Sequence, residues 1–364
     1  MDAPMPLRPY RNKAWLVAAG TLVVVSALVS THLWQNTDVL GATSFCDGRV
    51  RSGDAQDVLD SPGRLSDSRV QTIPGKPEFT CVIERRSLFS TDAAPRITLK
   101  TASELGPFPY TTHVWRNPGA RSYFKGEVTG GVTPTGGYVV LPKSCWAKVG
   151  NIQGSRLLPP DDNGVAAVEA TVTAGRVAPG ALARLLARTA ASVAADAGCS
   201  VAALKEPPEL AAPEGARTTD SGKVCGLPDF ALPGSAVLPG AAEPGQEQVS
   251  RGAQDVWACD LALAGKAGAS VSFTATSDPA MVEAALKDND DFRELPDGHG
   301  VALPNQAIVQ CADGDVFFTA LWSKEYYGAL RDHHPSVTEV YRETFANFVS
   351  SAADLHSCPN VTIP

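Results

Sequence analysis

Phe79-Thr80-Cys81-Val82-Ile83 and Trp257-Ala258-Cys259-Asp260-Leu261 are two versions of one pattern. Each places an aromatic residue two positions before a cysteine and an aliphatic residue two positions after it. Side chains two apart share a face of a strand, so each stretch predicts a strand whose cysteine turns into a core. Around these strands the eight cysteines fall into two quartets: Cys46, Cys81, Cys145 and Cys199, then Cys225, Cys259, Cys311 and Cys358. The steps are 35, 64 and 54 residues in the first quartet and 34, 52 and 47 in the second.

Further landmarks recur in the same order. Ahead of the third cysteine, Gly137-Tyr138-Val139-Val140-Leu141-Pro142 is matched with Gly300-Val301-Ala302-Leu303-Pro304. Ahead of the fourth, Ser192-Val193-Ala194-Ala195-Asp196 is matched with Ser351-Ala352-Ala353-Asp354. Ordered recurrence of this kind predicts a divergent tandem duplication. The joint is placed at residues 200–222, where Glu206-Pro207-Pro208-Glu209 and Ala212-Pro213-Glu214-Gly215 have linker composition. One unit then runs over 45–199 and the other over 223–364.

Within a unit the reading is strands first and a long helix last. Residues 256–263 and 269–276 alternate as strands, and Asp278-Pro279 opens a short helix to about Lys287. Residues 306–311 and 315–322 are expected to form a hairpin around Asp313-Gly314. Ser336-Val337-Thr338-Glu339 is a capping box for the last helix, and Pro179 starts its counterpart. An antiparallel sheet with a C-terminal helix on one face is an α+β arrangement.

Ala14 to Leu33 carries no charge, and from Trp15 to Trp34 a helix rises about 28 Å, close to the thickness of a bilayer core. Arg8, Arg11 and Lys13 precede it, and the next basic residue is Arg49. The positive-inside bias therefore predicts a cytoplasmic tail at 1–13, a transmembrane helix at 14–34, a stalk at 35–44 and the remainder outside the cytoplasm. The rival is a signal peptide cut after Val25-Ser26-Ala27, but the apolar run continues past that point to Leu33. An uncleaved signal-anchor is the expectation.

No two cysteines are closer than 26 residues, which excludes Cys-x-x-Cys redox and close-pair zinc spacing and predicts structural disulfides of an oxidising compartment. Closure within each quartet leaves three pairings per unit. The one expected is first with second and third with fourth: Cys46–Cys81, Cys145–Cys199, Cys225–Cys259 and Cys311–Cys358. The nested alternative would join Cys46 to Cys199 and Cys81 to Cys145. Net charge is −8, with no basic run longer than Arg85-Arg86, so a nucleic-acid partner is not expected.

In element order and cysteine style, and in its few lysines and many Ala, Gly, Pro, Arg and Val, the chain resembles actinobacterial single-pass membrane proteins with tandem extracytoplasmic domains. Its two-layer unit is similar to small extracytoplasmic lipoprotein domains of that group. The resemblance implies the compartment and the sheet-and-helix fold, and it transfers no functional residue.

Sequence patterns for nucleophile elbows, Walker loops and His-Glu-x-x-His metal sites do not occur. Asp332-His333-His334 and the acidic run Asp288, Asp290, Asp291 and Glu294 are the polar clusters from which a hydrolase or a metal-dependent enzyme would have to be built. Both read more simply as a pre-helix turn and a charged loop. Asp161-Asp162-Asn163-Gly164 and His299 read as turns, and His113 and His356 stand alone. Trp322, Tyr326 and Tyr327 fall in an expected loop, where exposed aromatic residues can anchor a partner. The function expected is that of a non-enzymatic binding or adaptor protein of the cell envelope. It would be held by residues 14–34, need no cofactor, and meet a protein or small-ligand partner outside the cell.

Overall fold

The computed structural model describes residues 10–364 apart from 40, 88–94, 107, 110–112, 126, 155, 162, 205–208, 239–244, 252–255, 265 and 288–290. Helix α1 (Tyr10–Asn36) contains an 18-residue window, Trp15–His32, of mean hydropathy 1.7, none of it buried inside the protein. It is long and apolar enough to cross a bilayer. Its Thr21 hydroxyl is satisfied within the helix by the Val17 carbonyl, 2.9 Å away.

The chain leaving α1, within the expected stalk over 35–44, is tied to the first sheet through Asp38. Asp38 accepts from the Leu65 amide and from Arg85 Nη1, each at 2.8 Å. Arg85 is buried and also donates to the Leu59 and Gly63 carbonyls. A buried guanidinium needs acceptors on its several donors, and the stalk supplies the charged one. β1 (Ser44–Phe45) pairs with β2 (Val50–Arg51), and α2 (Ser52–Val58) follows.

The first large sheet contains β3 (Arg64–Thr72), β4 (Phe79–Arg86), β5 (Arg96–Glu104), β6 (Ser122–Lys125), β7 (Gly130–Thr133) and β8 (Gly136–Val140). A small hairpin of β9 (Asn151–Gln153) and β10 (Arg156–Leu158) precedes β11 (Val165–Ala174), which returns to the sheet, and then α3 (Pro179–Asp196). The second large sheet contains β14 (Gln246–Arg251), β15 (Val256–Ala262), β16 (Ser270–Thr276), β17 (Arg293–Glu294), β18 (Gly300–Leu303), β19 (Gln306–Cys311) and β20 (Gly314–Trp322). Helix α4 (Pro279–Lys287) joins β16 to β17, and α5 (Lys324–Arg331) and α6 (Val337–Ala352) follow β20.

Both sheets are antiparallel and eight-stranded, and their main strands are threaded alike. The first runs β3-β4-β5-β11-β8-β7-β6 and the second β14-β15-β16-β20-β19-β18-β17. The eighth strands come from the predicted linker. β12 (Glu209–Ala211) adds to β6, and β13 (Arg217–Thr218) adds to β14. The segment between the halves is thus pinned at both ends.

One matched landmark occupies different positions in the two sheets. Gly137–Val140 lies on β8, whereas Gly300–Leu303 is β18, the neighbour of β19 and so the counterpart by strand order of β7. The closer match is the turn. Pro134-Thr135 and Pro304-Asn305 each close a hairpin, and the carbonyls of Thr135 and Asn305 accept from Val172 at 2.9 Å and Ala320 at 3.0 Å. The β19–β20 turn is Ala312-Asp313, one residue earlier than expected, with Gly314 at φ +125° as the first residue of β20.

Alternation decides the packing. Trp257, Cys259, Phe273, Val309 and Phe318 face a core closed by α5 and α6 through Leu330, Val340, Phe345 and Phe348. Their neighbours of opposite parity, Ala258, Ile308 and Phe317, join the other core together with Met281, Ala284 and Ala285 of α4. That core also contains α3, which packs on β7, β8 and β11 through Leu182, Leu185, Leu186 and Val193. The molecule is therefore layered as α3, first sheet, second sheet and α5–α6. The turn Pro118–Ala120 and α4 lie between the sheets.

The four disulfides join Cys46 to Cys81, Cys145 to Cys199, Cys225 to Cys259 and Cys311 to Cys358, two in each half and in the expected order. Cys46 and Cys225 both adopt left-handed backbone, φ 56° and 60°. Each donates its amide to a carboxylate on the first main strand, Asp67 at 2.8 Å and Glu247 at 2.7 Å. Asp67 pairs across the sheet with Ile83 and Glu247 with Leu261, each two residues past the partner cysteine.

Candidate ligand cleft between the two halves

The inner face of the first sheet carries a register row of polar side chains. Lys100 is opposite Glu169, Glu169 opposite Tyr138, Tyr138 opposite Gly131 and Gly131 opposite Tyr123. Glu169 is only 1 % exposed, and both of its oxygens are held, one by Lys100 Nζ at 3.0 Å and the other by Trp115 Nε1 at 2.6 Å. Trp115 stacks on Tyr138, ring centroids 3.4 Å apart. The Arg121 guanidinium lies over the Tyr138 ring, 5.5 Å from its centroid, a cation–π arrangement in a dry setting. Gly131 makes the room, because a Cβ there would sit 3.2 Å from the Tyr123 ring and 3.4 Å from Arg121 Cδ.

The segment 117–121 crosses from this row to the second sheet. Gly119 packs backbone to backbone on β14 and β15, where any side chain would collide with the Gln248 carbonyl and the Asp260 amide. Ser250 Oγ donates to the Arg121 carbonyl at 2.7 Å. Asp260 Oδ1 receives Ser272 Oγ at 2.6 Å, while its buried Oδ2 has no hydrogen-bond partner; the nearby Gly119 and Ala120 amides favour its charged form. Burial pushes its carboxyl up to about 6, against the opposing pull of Ser272, Arg121 and those amides. Burial also lowers the pKa of Arg121, partly offset by Tyr138, Tyr123, Asp260 and Glu169.

A second set of contacts comes from α4. Thr129 donates to Asp278, Lys143 pairs with Glu283, and the Lys287 ammonium lies 5.4 Å from the Trp146 ring centroid. Met281 meets Phe108, Tyr123, Phe124 and Tyr138 around a small cavity.

Beside the 117–121 crossing, the first half forms a cleft of about 650 Å³ that Gln248 of the second half borders. Arg116, Arg121, Arg176 and His113 line it with Asn117, Thr133, Thr135 and Gln248, and Val114, Ala120, Pro134, Gly136 and Pro213 complete the wall. Among the described residues no carboxylate belongs to the lining, although the whole chain has a net charge of −8. Arg121 is 3 % exposed; its Nη2 donates to the Arg116 carbonyl at 2.7 Å, while Nε and Nη1 have no hydrogen-bond partner. A buried guanidinium with unmet donors is costly unless something supplies negative charge nearby.

A wider depression of about 850 Å³ lies near the end of α1, lined by Asp38, Asp57, Asp60, Arg85 and Arg184. Its arginines already have carboxylates, Arg85 with Asp38 at 2.8 Å and Arg184 with Asp57 at 3.7 Å. It is the weaker candidate because its charge is internally satisfied.

The residues singled out from sequence lie elsewhere, His113 excepted. Tyr326 is not a loop anchor: Ser323 caps α5, accepting from the Tyr326 amide at 3.2 Å, and this turns Tyr326 into the core at 0 % exposure. Its hydroxyl donates to the Ala236 carbonyl. Trp322 is stacked on Tyr341, centroids 3.9 Å apart, and only Tyr327 is open, at 47 % exposure. Asp332, His333 and His334 form the turn between α5 and α6, and both histidine amides donate to the Leu330 carbonyl. Asp288 and Asp290 lie outside the described residues, and Asp291 and Glu294 are exposed. His299 sits in an exposed turn with its amide on Asp297, and Asn163 donates to Asp161 in another. His356 lies edge-on to Phe318. Among the described residues no three His, Cys, Asp or Glu side chains gather as a metal site would require.

Arg116, Arg121 and Arg176 carry no motif, because they are separated in sequence and gathered by the folding of the first sheet, where the 113–121 segment packs on β8 and β11. The nearest signal was Asn117-Pro118-Gly119, a turn tripeptide between strands. Comparison with protein-family models, with curated proteins and with solved structures found no match.

Proposed function

We propose that the chain is a membrane-tethered binding protein of the cell envelope, made of two copies of one unit that hold a small ligand between them. Residues 14–34 are its anchor, the N-terminus is cytoplasmic, and the disulfide-bonded halves work outside. The anchor reading rests on the exposed apolar helix α1 with its basic N-terminal flank, and the compartment on the four disulfides. Duplication draws support from the shared strand order, the shared cysteine positions and the carboxylate under the first cysteine of each half. The observation that carries the binding role is the 650 Å³ cleft, a volume usual for small-molecule sites, lined by the first half with Pro213 of the intervening segment and Gln248 of the second half.

The test is to purify the full chain from its own membranes in mild detergent and identify co-purifying small molecules by mass spectrometry. The comparison is Thr135→Trp, which fills the cleft from an exposed lining position. One or more compounds enriched with the wild type and lost from the variant are expected. The same profile from both would sink the proposal.

A further inference from the structure

The exit of α1 fixes where the first half stands. Resting on the membrane anchor proposed above, we infer that the outer part is seated on the bilayer surface by one end of the β3–β4 pair, with the Arg86 guanidinium on the phosphate groups of phospholipid headgroups.

The span over 14–34 ends two residues before Asn36, the last residue of α1. At a rise of 1.5 Å per residue, Asn36 lies about 3 Å beyond the hydrocarbon. That is inside the headgroup layer, which is about 5–7 Å deep on each side. The first sheet begins at the same level. Ser87 Oγ donates to Asn36 Oδ1 at 3.0 Å, and Asp38 accepts from the Leu65 amide and Arg85 Nη1, each at 2.8 Å. Arg86, the last residue of β4, is one peptide from the Ser87 contact, about 3.8 Å between Cα atoms. Arg64, the first residue of β3, is its register partner.

The Arg86 side chain is 70 % exposed although it touches Glu84, a buried carboxylate that it shares with Arg96, 2.8 Å away. Its fork is therefore steadied on one side and open on the other, at a depth where phosphate oxygens are the abundant acceptors. A planar guanidinium matches two phosphate oxygens at once, and its long stem gives it reach. Asp57 and Asp60 line the depression alongside with Arg184, so this surface is mixed in sign, which suits headgroups that carry ammonium as well as phosphate. Depth rather than net charge selects Arg86. Val39, 73 % exposed three residues past the end of α1, adds an aliphatic side chain near the same level.

Arginine labelling of the wild-type full chain with phenylglyoxal, read by peptide mass spectrometry, tests this. Rates are compared between nanodiscs of phosphatidylethanolamine with phosphatidylglycerol and a maltoside detergent that carries no phosphate. Arg86 should react about tenfold more slowly in the discs, the worth of one charge-assisted contact. Arg331, 67 % exposed on α5 of the second half, should react alike in both. Inorganic phosphate added to the detergent sample should leave Arg86 reactive; protection by it would mark a free-anion site and overturn the lipid assignment. Equal rates at Arg86 in discs and detergent overturn the seating, whether both are fast or both are slow, as contact with a second copy would make them. Flotation of the discs separates the two readings. A chain that floats while Arg86 stays reactive keeps the anchor and loses the seating, whereas a chain that does not float takes both down.

Discussion

Gly119→Ala is the most direct probe of how the halves are held together. Gly119 is buried, and a methyl group there would run into the Gln248 carbonyl and the Asp260 amide, both backbone atoms of the second sheet that no rotamer can move. The segment 118–120 must then lift away. Overpacking of this kind costs about 1–3 kcal/mol. Lifting also moves the Gly119 and Ala120 amides, which favour the charged form of buried Asp260, away from it and adds to that cost. Allowing for partial relaxation, about 3 kcal/mol of docking stability should be lost, which lowers the melting temperature of the outer part by about 6–12 °C. Differential scanning calorimetry of the full chain in detergent is the assay. The expected trace is a lower transition, broadened or split as the halves melt apart. Gly180→Ala is the control, since a Cβ there has only Arg184 Nη1 within reach at 3.9 Å. If Gly119→Ala melts within about 1 °C of the wild type, the turn is not a docking element and the cleft beside it is not rigid.

Three further expectations follow from the same contacts. Because the Asp260 carboxyl is raised to about 6 and an unfolded aspartate titrates near 3.9, the folded protein binds the extra proton between those values. Stability therefore falls as pH rises through that window, by about 3 kcal/mol in total, and is level above it. Asp260→Asn should flatten this segment of a stability–pH curve measured by urea titration, and a persisting slope would assign it to another group. Asp38→Ala removes the charged acceptor of buried Arg85, so about 2 kcal/mol should be lost and the link between α1 and the first sheet opened to protease; unchanged cleavage of residues 37–44 would count against a docked stalk. A reporter fused after Pro364 should be active only if it requires export, and a mature N-terminus at Leu28 by mass spectrometry would refute the uncleaved anchor while leaving the compartment intact.

What the amino-acid sequence determined by itself was whatever local chemistry and spacing could encode. The apolar stretch from Trp15 to His32, the strands around Cys81 and Cys259, the Pro179 and Ser336 helix starts and the order of the disulfides all follow from residues near one another or from counted steps. Period-two alternation also marked which face of β15 holds Cys259, but it had no way to say that the opposite face would be covered as well. That outcome belongs to tertiary structure. Ala258, Ile308 and Phe317 find cover only because α4 and the Pro118–Ala120 turn pack between the sheets. The exposed-aromatic expectation failed for a local reason, since Ser323 capping an eight-residue helix turns Tyr326 inward, and a one-turn shift of phase is invisible in so short a segment. The cleft failed to appear in the sequence for a global one. Arg116 and Arg121 lie before β6 and Arg176 after β11, while Gln248 and Pro213 belong to the second half and its linker. Nothing in their spacing brings them together. The first sheet brings the arginines together, by packing the 113–121 segment on β8 and β11, and the close backbone approach at Gly119 adds Gln248 of the second half; both are properties of packed surfaces rather than of either stretch of chain.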